Sequence, residues 1–178
     1  GVYVVCDVGG GTTDIVVFEK KTTGGMTKYF LFKPSGCRVA GDDVDSALLK
    51  YLLPNRQVTE QNLQEARKAK EHLTLSKETT VFGKKLTRSD LQEIVKPVLL
   101  KIVESLREEI KVVFDSYAPY SETRTRFEIK GIFLSGGGSK IPYLKVLVEQ
   151  DAYIREFGPF VDYIRNDKLS AIYSSEDL

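Results

Sequence analysis

The chain opens on an uninterrupted apolar and β-branched run, Val2–Cys6, the pattern of a strand buried on both faces. Gly9-Gly10-Gly11 stop it, and a second run, Ile15-Val16-Val17-Phe18, follows at once. Two such runs across a short glycine turn predict a β-hairpin. Tyr29–Phe32, after the turn material Thr22–Gly25, extends the hairpin into a meander. The period then changes. Val44, Leu48, Leu49 and Leu52 predict a short helix ending near Pro54, with Asp42 and Asp43 favourable at its N-terminus. Thr59–Leu75 carries Leu63, Ala66, Ala69, Lys70 and Leu73 at helical spacing in an otherwise charged segment. Thr80–Leu86, containing Gly83, predicts a short strand or hairpin edge. Ser89 with Gln92 predicts a capping box opening a long helix to Tyr117, striped by Leu91, Ile94, Val98, Leu99, Ile102, Leu106, Ile110 and Val113. Pro97 falls inside it and predicts a bend. A polar loop (Ala118–Arg126), a strand (Ile129–Leu134), a glycine loop (Ser135–Ser139) and a helix (Tyr143–Glu149) follow. The tail from Asp151 mixes aromatic and polar residues and predicts no defined element. Strands and helices alternate in blocks, so the expected class is α/β with a mixed sheet.

The 178 residues suit one domain or one large lobe of a bigger protein. Lys and Arg total 26 against 25 Asp and Glu, a balance that supplies no electrostatic footprint for nucleic acid or an anionic membrane. No apolar run approaches a membrane span. Cys6 and Cys37 are too few for a disulfide framework, and neither sits in a CxxC pair, which suits a reducing cytoplasm. His72 is the only histidine, leaving almost no material for a His-based zinc site or a Ser-His-Asp triad. The first residues read as the middle of a strand without initiator Met or signal peptide, and the expectation is a fragment of a longer polypeptide.

The chemistry concentrates in Asp7-Val8-Gly9-Gly10-Gly11-Thr12-Thr13-Asp14. Three glycines let backbone N–H groups converge with no Cβ in the way, as a phosphate cradle requires. Thr12 and Thr13 add hydroxyl donors. A hairpin brings Asp7 and Asp14 to the same end, a pair suited to an octahedral Mg²⁺ that keeps most of its waters. Rival phosphate motifs fail: neither glycine cluster contains GxGxxG, and Asp42 stands where a Walker-A lysine would follow Gly41. A second cluster, Ser135-Gly136-Gly137-Gly138-Ser139-Lys140, follows a strand and precedes a helix, the arrangement that places a ligand at strand ends.

DVGGGTTD, AGDDVD, ARKAKEHLTLS and SGGGSKIP stand in the order found in the actin-like ATPase superfamily, which the chain resembles from about Val2 to Val148. The segment LTRSDLQE and its long helix look most like the seventy-kilodalton heat-shock (DnaK-type) chaperones, particularly divergent ones. The resemblance implies a ribonuclease H-like lobe II. It divides the chain into a core subdomain at 1–41 and 127–178, a small insertion at 42–88, and a long returning helix at 89–126. It implies ATP or ADP with Mg²⁺ as cofactors, Asp7 as the acid near the lytic water and the metal shell, and Thr12 near the γ-phosphate. Gly9, Gly10, Gly11, Thr12, Thr13 and Gly41 would line the phosphates, and Asp14 would reach the metal through water. Lys70, Glu71, Thr74, Gly136, Gly137, Gly138 and Lys140 would contact adenosine. Arg67 stands where the chaperones carry a ribose-binding glutamate, with Glu71 one turn on as a substitute.

The implied function is the C-terminal lobe of an Hsp70-like ATPase domain, inactive by itself and hydrolysing ATP only with the missing N-terminal lobe of the same polypeptide. Client peptide and co-chaperone would be its partners. An actin-like cytoskeletal filament ATPase, a small-molecule kinase and a degenerate nucleotide-sensing interaction module are the alternatives.

Overall fold

Val2, Val4, Cys6 and Val8 alternate with Tyr3 and Val5, and the two sets enter different clusters. The computed structural model describes residues 1–55, 57–117 and 127–164. The chain forms β1 (Val2–Val8), β2 (Thr13–Thr23), β3 (Met26–Leu31), β4 (Ser35–Cys37), α1 (Gly41–Leu52) and α2 (Glu60–Leu75). After these come β5 (Glu78–Val81), β6 (Lys84–Thr87), α3 (Arg88–Tyr117), β7 (Ile129–Ser135), α4 (Leu144–Gln150), α5 (Ala152–Glu156) and β8 (Phe160–Tyr163). The main sheet runs β3-β2-β1-β7-β8, with β4 on β2; β5 and β6 pair separately. β1 is antiparallel to β2 and parallel to β7, which is parallel to β8. The sheet is therefore mixed and the class α/β, as expected.

The expected meander is present. β8 and α5 were not legible in the tail, and the expected polar loop at 118–126 lies outside the described residues, as does the tail beyond Ile164. Phe160-Val161-Asp162-Tyr163 has one buried residue, Val161, in four, too short an alternation to read.

One face of the sheet carries Val4, Cys6, Val8, Ile15 and Val17 into a continuous core with Leu48, Leu99, Ile102, Leu106 and Leu144 from α1, α3 and α4. The same cluster contains Leu73 of α2 and Leu86 of β6, so these elements and the sheet share one core. The opposite face carries a row of rings, one per strand. Tyr29, Phe18, Tyr3, Phe133 and Phe160 have successive centroids 6.1, 5.5, 6.3 and 5.4 Å apart.

α3 is a single helix of 30 residues, about 45 Å long at 1.5 Å per residue. Pro97 and Glu93, whose carbonyl would have accepted the missing N–H, both lie on the exposed side, so that carbonyl is open to solvent. The helix starts before the expected Ser89–Gln92 box. Its cap is the reciprocal pair Thr87 and Asp90: the Asp90 amide donates to Thr87 Oγ1 at 3.1 Å, and the Thr87 amide donates to Asp90 Oδ2 at 2.9 Å. Hydrogen bonds from Thr87 hold the Asp90 carboxyl below its usual range.

Burial pushes the Cys6 thiol up from 9.0 to about 12, with Cys37, Asp7 and Asp14 adding in the same direction. Cys37 is only partly buried. In native protein near pH 8, we expect a thiol reagent to modify Cys37 readily and Cys6 only after denaturant is added. Two rapid equivalents without denaturant would contradict the burial. The neutral Cys6 thiol contributes its full stability below pH 9.0, and that contribution declines as pH rises toward about 12.

Candidate nucleotide site

The β1–β2 register places Asp7 directly opposite Asp14 and Val8 opposite Thr13. The Gly9 amide donates to the Thr12 carbonyl at 2.9 Å, closing a turn whose tip, Gly10 to Thr12, is exposed. Among the described residues, no hydrogen bond takes up the amides of Gly10, Gly11 or Thr12. They are the donors left for an anion. The Thr12 hydroxyl lies 3.4 Å from Asp14 Oδ2. Thr13 is fully buried and donates its hydroxyl to the Val39 carbonyl at 2.7 Å. The Thr13 hydroxyl, expected as a ligand donor, is engaged in pinning the segment that enters α1.

The start of α1 is docked on this turn. Its Gly41 amide donates to the Gly9 carbonyl at 3.1 Å and its Asp42 amide to the Gly10 carbonyl at 2.7 Å. A Cβ on Gly41 would stand 3.1 Å from the Gly9 carbonyl oxygen. Gly41, expected at the phosphates, thus has its amide committed to the turn and acts through close approach.

The parallel β1–β7 pairing sets Asp7 beside Ser135 and so delivers the second glycine turn to the same end of the sheet. Gly136 adopts φ +80°, and a Cβ there would collide with Asp7 Oδ1 and the Val8 carbonyl oxygen. Gly138 begins a 3-10 turn, Gly138–Lys140, and is buried; a Cβ on it would stand 2.9 Å from the Val8 carbonyl oxygen. Its role is to pack the two turns together. Gly137 is open, with nothing within 4 Å of a Cβ. Beside these turns lies an open cleft of about 820 Å³. Thr74 and Leu75 of α2 line it, with Gly136, Gly137 and Lys140 from the turn and Tyr163 and Ile164 from the end of β8.

The MreB/Mbl protein family matches residues 2–156. The chain belongs to the MreB/Mbl family of actin-like ATPases. The chaperone protein HscA homolog of Acidithiobacillus ferrooxidans is 29% identical over 84% of this chain and 25% of its own length. The chaperone protein DnaK of Thermus thermophilus is 25% identical over 83% of this chain and 26% of its own length. DnaK of Methanothermobacter thermautotrophicus is also 25% identical, over 83% of this chain and 27% of its own length. The resemblance read from the motifs is borne out, and the chain spans about a quarter of the length of these relatives.

Within this member of the actin-like family, α2 departs most from expectation. Lys70 is buried, its Nζ 2.6 Å from Asp45 Oδ1 and donating to the Gly41 carbonyl at 3.3 Å. Arg67 donates from Nε to Asp45 Oδ2 and from its terminal nitrogen to Asp42 Oδ1, both at 2.8 Å. The two cations that α2 turns toward α1 are thereby committed to α1. Lys70 does not line the cleft. Glu71 is exposed outside it, and its carbonyl accepts the Thr74 hydroxyl at 2.7 Å. Of the α2 residues expected at adenosine, Thr74 alone is a lining residue. Sequence reasoning missed Leu75, Tyr163 and the Asp45 network. Burial, with Glu149 and Asp162, pushes the Tyr163 phenol up, so it is a neutral donor at neutral pH.

Among the described residues no three His, Cys, Asp or Glu side chains converge as for a protein-caged metal. Two facing carboxylates beside free amides suit instead an ion that keeps its waters and brings phosphate oxygens with it, the coordination habit of Mg²⁺.

Proposed function

We propose that this chain is the C-terminal lobe of the nucleotide-binding domain of an Hsp70-like chaperone ATPase, active in the cytoplasm on client peptides with co-chaperones. One observation carries the reading: two glycine turns from different parts of the sequence meet at Asp7, beside a cleft large enough for a nucleoside. In this reading the amides of Gly10, Gly11 and Thr12 hold phosphate oxygens, and the Thr12 hydroxyl reaches the γ-phosphate. Gly136, Gly137, Lys140 and Thr74 face the adenosine side. Mg²⁺ neutralises phosphate charge when bound; Asp7 and Asp14 orient its waters, and Asp7 also orients the attacking water. The remaining phosphate contacts come from an N-terminal lobe of the same polypeptide. The segments 1–41 with 127–178, 42–88 and 89–126 serve as core, insertion and returning helix.

Calorimetry with Mg²⁺ and ATP tests the two-lobe reading. The chain alone is expected to bind weaker than micromolar and to turn over negligibly, and the two-lobed protein to bind far more tightly. Sub-micromolar affinity of the chain alone would overturn the shared site; no binding by the two-lobed protein would overturn nucleotide binding itself.

The MreB/Mbl match favours a second reading, an actin-like filament ATPase. ATP-dependent sedimentation of the two-lobed protein as filaments would move the assignment there.

A further inference from the structure

Asp42 sets an acid against the glycine turn. A Cβ on Gly10 would stand 3.4 Å from Asp42 Oδ1 and 3.7 Å from Oδ2, and one on Gly11 would stand 4.0 Å from Oδ2. A bare carboxylate at that range repels any anion that the free amides of the turn accept. The next acid, Asp43, turns back to cap α1, accepting the Ala40 amide on Oδ2 at 2.9 Å. Asp42 is taken up from α2 instead. The Arg67 terminal nitrogen lies 2.8 Å from Asp42 Oδ1, and Arg67 Nε lies 2.8 Å from Asp45 Oδ2. A guanidinium is a rigid fork. With one prong anchored on Asp45, which is 1% exposed, the other prong is delivered to Asp42 in a fixed place. The Arg67 and Asp42 side chains are themselves 45% and 58% exposed. An ion pair so open to water contributes little to folding, so its place beside the turn is what calls for a reason.

We propose that Arg67 is a positioning residue of the phosphate site: it neutralises Asp42 and holds that carboxylate in place, so that the glycine turn can accept an anion. The inference rests on the nucleotide-binding reading above and adds to it which residue sets the charge at the phosphate turn. Arg67 stands where the chaperones carry a ribose-binding glutamate, and in this chain the position serves the phosphates.

The test titrates tripolyphosphate, a probe that lacks base and sugar, and ATP, both with Mg²⁺, into the full chain at millimolar ligand. Affinity is followed by phosphorus NMR, and urea midpoints are measured on the same variants. Arg67→Ala leaves Asp45 its second cation, Lys70 Nζ at 2.6 Å, and leaves Asp42 in water, so the fold is expected to persist. With one uncancelled charge about 6 Å from the anion, Arg67→Ala should weaken both ligands roughly 5- to 50-fold. Adding Asp42→Asn to Arg67→Ala should return both affinities close to wild type, while the urea midpoint stays as low as in Arg67→Ala. That split identifies charge cancellation, because a loosened α2 would keep affinity and midpoint low together. Arg67→Glu should weaken both ligands further than alanine does. Unchanged tripolyphosphate affinity in Arg67→Ala would overturn the proposal while leaving the phosphate turn standing. A double variant as weak as Arg67→Ala, or an Arg67→Glu variant that binds ATP more tightly than wild type, would overturn it too. If wild type binds neither probe, the nucleotide reading fails and this inference with it.

Discussion

In the proposed two-lobed ATPase, Asp7→Asn is expected to slow ATP hydrolysis about 10²- to 10³-fold, the usual effect of removing one preorganised electrostatic group. ATP affinity should change only a few-fold. Asparagine keeps the shape of the side chain, and β1 pairs with β2 and β7 through its backbone, so the turn geometry survives. The carboxylate's charge is what is lost, and with it the acceptor that the proposed function assigns to orienting water toward the γ-phosphorus. Asp14→Asn removes the facing charge at the same strand end and should weaken Mg²⁺ dependence more than the hydrolytic step. Single-turnover hydrolysis and nucleotide affinity measured on both variants separate the roles. A wild type that binds ATP beside an Asp7→Asn variant hydrolysing at an unchanged rate would remove Asp7 from the chemistry.

The hairpin, its glycine tip and the facing aspartates were legible because each rests on a local rule. Strand alternation, glycine interruption and antiparallel pairing together bring Asp7 to Asp14. The same alternation also carried information that the reading of motifs passed over. Thr13 is in phase with Ile15 and Val17, both buried, so its side chain had to enter the core. Its hydroxyl then needed a buried acceptor, which the Val39 carbonyl supplies. The α2 cations are a harder case, because their fate depends on how two helices pack. Asp42 and Asp45 on α1, and Arg67 and Lys70 on α2, share an i, i+3 spacing, so each pair lies on one helix face. Matching acidic and basic pairs on consecutive helices was the available signal that the cations would turn to α1 and away from the cleft. Asp45 is 1% exposed, and a carboxylate so placed requires its cations. For β8 no comparable signal existed: one buried residue in four gives no period to detect, and its parallel partner β7 is far enough back that no turn links them.

Gly136→Ala should cost about 2–5 kcal/mol of folding stability. Two penalties combine there. A residue with a Cβ pays about 1–2 kcal/mol in the left-handed region, which Gly136 occupies at φ +80°. Overpacking adds about 1–3 kcal/mol, because the new Cβ meets Asp7 Oδ1 and the Val8 carbonyl oxygen. Two comparison variants isolate the terms. Gly158 has φ +61° with nothing within 4 Å of a Cβ, so Gly158→Ala reads the backbone conformation alone. Gly10 lies outside the positive-φ set, and its Cβ would stand 3.4 Å from Asp42 Oδ1, an ordinary contact. Gly10→Ala should therefore stay within about 0.5 kcal/mol of wild type. Urea midpoints at constant slope give the three values. The excess of Gly136→Ala over Gly158→Ala measures how tightly the second glycine turn is pressed against β1. An excess near zero would mean that the turns stand apart, and that Asp7 is not held against the loop that would complete its site.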